Sequence, residues 1–413
     1  MQGNIMVFVV CLVLILIDAY VYQAVSFFSK ERPLKIHLRG VYWLFTLITL
    51  SVMLIFAFGT PEKYGPTVRS LMIVYVFANY ASKLVAVLFV LLDDIIRIGK
   101  RIIQVFKRKE QKTIPGESIS RSEFLMRTAL IGASVPLVTM GYGVVSGAHD
   151  YRVRHQKIIL PNLPSSFNGL RIGQISDIHS GSFFNKTAVQ GGVEMLVNEK
   201  PDIMFFTGDL VNNEASEVKD YISMFGKITA PLGVYSVLGN HDYGDYMEWK
   251  STSAKQKNVQ ALIEAHKIMG WDILLNEHRI IEQGGEQLAI IGNENWGAGR
   301  FAKYGDITKA HQGTDEASVK LLLSHDPSHW DAQIRPYFPD IDVMFAGHTH
   351  GFQFGVEVGG FQWSPSQYAY KQWAGLYTEG NQHLYVNRGF GYLGYPGRIG
   401  MPPELTIVEL VNA

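Results

Sequence analysis

Four long apolar runs crowd the first 145 residues, and no other feature restricts the fold as strongly. Residues 5–28 are almost continuously apolar apart from Asp18 and Gln23, residues 41–58 form a second run, and residues 70–92 a third, broken by Asn79 and Lys83. Each approaches or exceeds the roughly 20 residues that a helix needs to cross hydrocarbon. A secretory signal would follow a basic segment and would not be succeeded by two further runs. The fourth run, residues 124–145, contains Arg127, several glycines and Pro136. Spanning helices tolerate Pro and Gly, and an arginine near one end reaches the headgroups. The expected layout is three transmembrane helices over 1–95, a basic cytoplasmic linker over 96–123, a fourth transmembrane helix over 124–146, and an extracytoplasmic domain over 147–413.

Charge supports that division. The chain holds 37 Lys and Arg against 37 Asp and Glu, but its first 123 residues carry 15 of the basic and only 8 of the acidic ones. An acidic carboxyl-terminal region without a basic stripe argues against nucleic acid as a partner, because phosphate backbones need a positive footprint. The segment after the first run holds Lys30, Arg32, Lys35 and Arg39, the next only Lys63 and Arg69, and the third is dense with Lys and Arg from Arg97 to Arg121. Under the positive-inside rule the first and third segments are cytoplasmic, so four spans deliver the carboxyl-terminal domain outside. The run Ser120-Arg121-Ser122-Glu123-Phe124-Leu125 is similar to a twin-arginine export signal, with Ser122 in place of the second arginine. A single cysteine, Cys11, rules out an intramolecular disulfide and a cysteine metal cluster.

Beyond residue 165 the hydrophobic period changes. Leu170–Ser176, Asp202–Thr207, Gly233–Leu238, Gln287–Ile291, Val319–Ser324 and Asp342–Ala346 read as short strands, with helical spacing over 186–200, 218–227 and 247–268. Strand and helix alternate, which predicts a layered α/β domain whose functional groups gather at strand ends.

Those ends carry the chemistry. Asp177-Ile178-His179 follows the first strand, Gly208-Asp209 the second, Gly239-Asn240-His241-Asp242 the third, His325-Asp326 the fifth and Gly347-His348-Thr349-His350-Gly351 the sixth. One histidine after one strand means little, but five such clusters in one domain are hard to assign to chance. Imidazole and carboxylate donors suit borderline divalent ions such as Mn, Zn or Fe. Spacing proposes seven ligands, Asp177, His179, Asp209, Asn240, His325, His348 and His350, without distributing them between ions.

In this order the blocks resemble those of the calcineurin-like metallophosphoesterase superfamily. The closing segments Leu384-Tyr385-Val386-Asn387-Arg388-Gly389 and Pro396-Gly397-Arg398-Ile399-Gly400 resemble its membrane-linked bacterial subgroup, which includes relatives acting on UDP-2,3-diacylglucosamine. The chain departs from that subgroup in placing Phe352 between Gly351 and Gln353, a bulky residue at the rim that bears on substrate shape. The resemblance implies a layered β-sandwich flanked by helices, holding two divalent metal ions. It implies that Asp177, His179 and His350 hold one ion, that Asn240, His325 and His348 hold the other, and that Asp209 bridges them. Such a pair activates water and stabilises charge on the phosphoryl group. His241 is then the expected acid or oxyanion stabiliser, with Asp242 orienting its imidazole.

The function expected is hydrolysis of a phosphoester or pyrophosphate by metal-activated water, in a membrane lipid or lipid precursor, at a bacterial inner membrane. Two alternatives stand beside it: a phosphodiesterase for nucleotides or other soluble phosphoesters, and a metal-binding envelope assembly protein without turnover. A transporter is suggested only by the spans, by Asp18 and Lys83 within them, and by the boundary pair Asp93 and Asp94. The aromatic segment Phe361–Tyr377 reads either as a membrane-facing lip or as a packed edge loop.

Overall fold

The computed structural model describes residues 2–30, 33–60, 63–106 and 121–413. Arg32, Lys107, Arg108, Lys109, Lys112 and Ser120, which entered the charge and export readings, lie outside them. The chain divides into two compact units, Met1–Tyr142 and Gly143–Ala413.

The first unit is helical. Its helices are α1 (Gln2–Ser29), α2 (Lys35–Phe58), α3 (Pro66–Phe106) and α4 (Arg121–Val145), whose final residues belong to the second unit. All four are long and apolar enough to cross a membrane. Helix α3 does not end near residue 95: it runs on to Phe106, so the first part of the basic segment is helical. Small buried residues let the helices meet. Ala24, Ala86 and Ala129 are fully buried beside Val21, Val90 and Met126, as expected where backbones pack closely in lipid.

The second unit is a sandwich of two six-stranded sheets. Its strands in chain order are β1 (Arg152–Leu160), β2 (Arg171–Ile175), β3 (Ile203–Phe206), β4 (Val234–Ser236), β5 (Asp272–Ile273), β6 (Glu277–Gln283), β7 (Glu286–Gly292), β8 (Val319–Leu323) and β9 (Val343–Ala346). A two-stranded hairpin, β10 (Val356–Val358) with β11 (Phe361–Trp363), precedes β12 (Gly375–Glu379), β13 (Gln382–Val386) and β14 (Glu404–Asn412). One sheet has the order β1-β14-β2-β3-β4-β5, the other β12-β13-β9-β8-β7-β6. All six predicted strands are present.

Burial explains the layering. Strands β2, β3, β8 and β9 are buried on both faces because each sheet is covered twice. Between the sheets lie Ile172, Phe205, Leu288, Leu321, Phe345 and Val408. The outer face of the first sheet packs Ile175, Met204 and Phe206 against Val189 and Leu196 of α5 (Lys186–Asn198), Leu262 of the helix Thr252–Ile268, Phe225 and Trp271. The outer face of the second packs Ile291, Leu322 and Met344 against Trp330 and Ile334. Strands β2, β3 and β4 run parallel, as do β7, β8, β9 and β13. Their carboxyl ends therefore open on one edge of the sandwich, where strand polarity places functional loops.

Candidate metal centre

Each strand end turns sharply, and the turn aims the side chain. Asp177, His179, Asp209, His348 and His350 all have positive φ, between 49° and 70°. A non-glycine residue in the left-handed region costs of order 1–3 kcal/mol and persists only where its surroundings over-determine it. Here they do. Asp177 donates its N–H to Gly208 O (2.8 Å), His179 to Asp209 O (3.1 Å), and Gly347 to His325 O (2.9 Å). The N–H of His348 reaches both oxygens of Asp177 at 3.0 Å, tying the loop after β9 to the loop after β2. Gly347 permits this approach: a Cβ there would fall 2.2 Å from Asp177 Oδ2 and 2.0 Å from Ser176 Oγ.

All seven proposed ligands converge. One group is Asp177, His179 and His350, the other Asp209, His325 and His348, and within each the donor atoms lie within 4.8 Å of one another. His350 Nε2 stands 3.2 Å from Asp177 Oδ1 and 3.0 Å from His179 Nε2. His348 Nδ1 stands 3.2 Å from His325 Nε2 and 2.8 Å from Asn240 Oδ1. Asp209 Oδ2 lies between the groups, 3.1 Å from His325 Nε2 and 3.6 Å from His179 Nε2.

The donor chemistry fits divalent cations. His325 Nδ1 donates to Thr207 O at 2.7 Å, because a carbonyl can only accept, and this aims Nε2 at Asp209. Burial drives the His179 imidazole down to about 3 and, with the neighbouring His179 ring, holds His350 well below the usual range. Neutral imidazole is the ligating form. Burial pushes Asp177 up to about 6, and it also disfavours charge on His325, but the carboxylates of Asp209 and Asp177 outweigh that and raise His325 to about 10. Two buried carboxylates thus demand positive charge at their centre.

His241 reaches the same cavity, of about 210 Å³, with His179, Asp209, Asn240, Tyr246, Phe301, His348, His350 and Leu393. Its Nδ1 donates to Asn212 O at 2.7 Å, so Nε2 is left without a proton in the neutral ring. This corrects the expected role of Asp242. That residue is fully buried and does not orient the His241 imidazole. Its Oδ2 accepts from the N–H of Asp209 and of Gly239, both at 2.9 Å, and its Oδ1 from Leu210 at 2.9 Å and Val211 at 3.3 Å. Asp242 is the knot that shapes two ligand loops.

Sequence reasoning missed two tyrosines. Tyr370 Oη is 2.7 Å from His348 Nε2, and Tyr246 Oη accepts from Asn240 Nδ2 at 2.7 Å while its ring faces His241. Tyr246 lies only four residues beyond Asp242, but no spacing rule brings Tyr370 across from the aromatic segment. His329 is bound to Ser324 and Gln333 and holds no ligand position. Arg388 pairs with Glu404 at 2.6 Å, and Arg398 donates to the carbonyls of Arg388, Gly389 and Gly391. Both arginines brace the terminal loops.

Comparison with known proteins finds similarity to metallophosphoesterases. Residues 170–352 match the family described as "Calcineurin-like phosphoesterase", and residues 3–148 match "Probable Calcineurin-like phosphoesterase, transmembrane domain". A Danio rerio "Transmembrane protein with metallophosphoesterase domain" is 29% identical over 72% of this chain and 65% of its own length. The chain thus covers somewhat less than two thirds of that relative. "Phosphodiesterase YaeI" of Escherichia coli is 26% identical over 71% of the chain and 100% of its own length. A Campylobacter jejuni "Uncharacterized metallophosphoesterase" is 24% identical over 98% of this chain and 97% of its own.

Proposed function

We infer, from a chain that belongs to the calcineurin-like metallophosphoesterases and carries their transmembrane domain, that it is a membrane-anchored hydrolase of phosphoesters or pyrophosphates. The placement of Asp209 Oδ2 between two buried ligand groups carries this reading. Asp177, His179 and His350 would hold one divalent ion, Asn240, His325 and His348 a second, with Asp209 shared; Mn, Zn and Fe suit such donors. Two ions there would supply Lewis-acid stabilisation of the phosphoryl oxygens and activation of water for in-line attack.

The other side chains complete the reaction. The bond from His241 Nδ1 to Asn212 O fixes the ring, and a protonated Nε2 gives its proton to the leaving oxygen. Tyr370 fixes the outer nitrogen of His348, and Tyr246 holds the Asn240 amide with its oxygen beside His348 Nδ1, where it would be a ligand of the second ion. The substrate is a membrane lipid or lipid precursor, since four apolar helices confine the enzyme to a bilayer. Lys30, Lys35 and Arg39 against Lys63 and Arg69 favour an extracytoplasmic catalytic domain.

The test is metal-dependent turnover by the detergent-purified full-length protein on a matched panel of phospholipids and soluble phosphoesters, followed by mass spectrometry, with Asp209→Asn as control. Conversion of a lipid that vanishes in the variant supports the reading. Conversion of soluble compounds alone removes the lipid, and two bound metals without turnover point to an assembly role.

A further inference from the structure

The hairpin β10–β11 is built inside out. Its register pairs Val356 with Trp363, Glu357 with Gln362 and Val358 with Phe361. Side chains alternate across a strand, so Val356, Val358, Phe361 and Trp363 share one face, and Glu357 and Gln362 the other. An ordinary surface hairpin turns its apolar face to the core. Here the Glu357 carboxylate turns inward while Gln362 stays exposed: Glu357 is bound in two places by Arg154, at 2.9 and 2.5 Å, stands 3.6 Å from buried Arg388, and accepts from Gln362 at 2.6 Å. The apolar face is left outside, with Val358 70% and Phe361 62% exposed, and the approach to the hairpin adds Phe352 at 52%. Such a contiguous patch marks a surface that meets something apolar.

Two features say what it meets. The base of the hairpin is joined, within the second unit, to Gly143, the residue at which that unit begins. Gly143, in the last turn of α4, accepts from Arg398 N at 3.1 Å, and the next residue, Ile399, accepts from Gly355 N at 2.9 Å and donates to Gln353 O at 2.8 Å. The chain's exit from an apolar helix and the base of the apolar hairpin are thus stitched together by three backbone hydrogen bonds. The composition of the face also suits a bilayer, with aliphatic and aromatic side chains and a Trp at its margin, the residue that settles at headgroup level. We propose that β10–β11 is a membrane-docking lip that inserts Val358 and Phe361 into the bilayer that α4 spans.

The lip also reaches the metal centre. Phe352 is two residues from His350, and its backbone is left-handed at φ 51°. A lip immersed at one end and joined to a ligand at the other would present the centre to bonds at headgroup depth. The inference goes beyond the hydrolytic reading, because immersion does not depend on which bond is broken.

The experiment uses the full-length protein in nanodiscs of phosphatidylethanolamine and phosphatidylglycerol. In a Cys11→Ser background, a nitroxide is placed by Val358→Cys or Phe361→Cys, and by Asn381→Cys as a control at an exposed turn between β12 and β13. Circular dichroism matching the parent protein qualifies each variant. Power saturation then reads collision with oxygen against collision with a water-soluble nickel chelate. Immersion inverts the ratio at 358 and 361, so that oxygen dominates there and the chelate dominates at 381. Chelate-dominated labels at all three positions overturn the proposal. So does dipolar coupling between labels at 358 on two copies in detergent and nanodisc alike, which would assign the face to self-association.

Discussion

The Asp242 carboxylate accepts the backbone N–H of Asp209 at 2.9 Å, and this contact shapes the loop that carries the central ligand. The same carboxylate accepts from Gly239, Leu210 and Val211. Asp242→Ala would leave four buried donors unpaired, each costing about 1–3 kcal/mol when unsatisfied. The expected result is a strongly lowered unfolding midpoint together with reduced metal content, measured by calorimetry and elemental analysis. Full stability and metal content with only kcat reduced would return Asp242 to a role on the His241 ring.

His241 is exempt from that structural burden. Its imidazole makes one hydrogen bond, to Asn212 O, and faces the cavity. His241→Asn is expected to keep two metals per chain while lowering kcat by about 10²–10⁴, the usual contribution of a positioned acid. The loss should be larger for alkyl leaving groups, which need a proton, than for nitrophenolate, which leaves without one. Equal losses on both would show that His241 binds the phosphoryl group instead.

Metal occupancy should be visible in stability without any substrate. Each ion that binds the folded state alone adds about 2.7 kcal/mol at a free concentration 100 times Kd, which is about 5–10 °C per ion in a domain of this size. Chelator-treated protein should lose that increment and regain it with Mn. Asp209→Asn, which weakens both groups at once, should show little of it; a full increment in this variant would contradict a shared ligand.

Much of this was legible beforehand because strand ends and chemistry coincide. Runs such as Val319–Leu323 and Val343–Ala346 are buried on both faces, so they read as apolar blocks, and the polar residues that follow them are the ligands. The spans were legible for the same reason of unbroken hydrophobicity. Less was visible where position depends on pairing between distant segments. Strand β14 inserts between β1 and β2, a neighbourhood that no local pattern encodes. Asp242 was misread because adjacency to His241 says nothing of direction: its turn points the carboxylate back at the Asp209 loop. Tyr370 meets His348 across the intervening hairpin, a pairing that no local pattern encodes.

A histidine outside the proposed ligand set predicts an acid response. His266 is fully buried against Phe206 and Trp271, with Nδ1 on Ser236 Oγ at 2.9 Å and Nε2 without a partner. Burial pushes its imidazole from 6.5 to about 3. The unfolded chain therefore binds the extra proton first, so stability rises with pH across the window from about 3 to 6.5 and is lost as pH falls through it. His266→Leu should flatten this part of the stability profile relative to the parent, measured by denaturant titration at pH 7, 6 and 5. An unchanged slope would mean that His266 takes up its proton in the folded state.

In the helical unit, Lys83 Nζ stands 2.5 Å from Asp18 Oδ1, both side chains buried, and Tyr80 donates to Asp18 Oδ2 at 2.8 Å. Tyr42 donates to the Asp18 carbonyl at 2.7 Å and its ring faces the ammonium. Each charge therefore has a partner on another helix, the arrangement of a structural clasp between α1 and α3 rather than of a conduction path. Removing one partner of a buried pair costs about 3–5 kcal/mol because the other charge is stranded, whereas replacing both is often near neutral. Lys83→Met alone should thus lower the unfolding midpoint in detergent sharply, and adding Asp18→Asn should recover most of it. A double variant that is as unstable as the sum of the singles would show that the two residues act independently, and the clasp would be lost as an explanation of why charges sit at this depth.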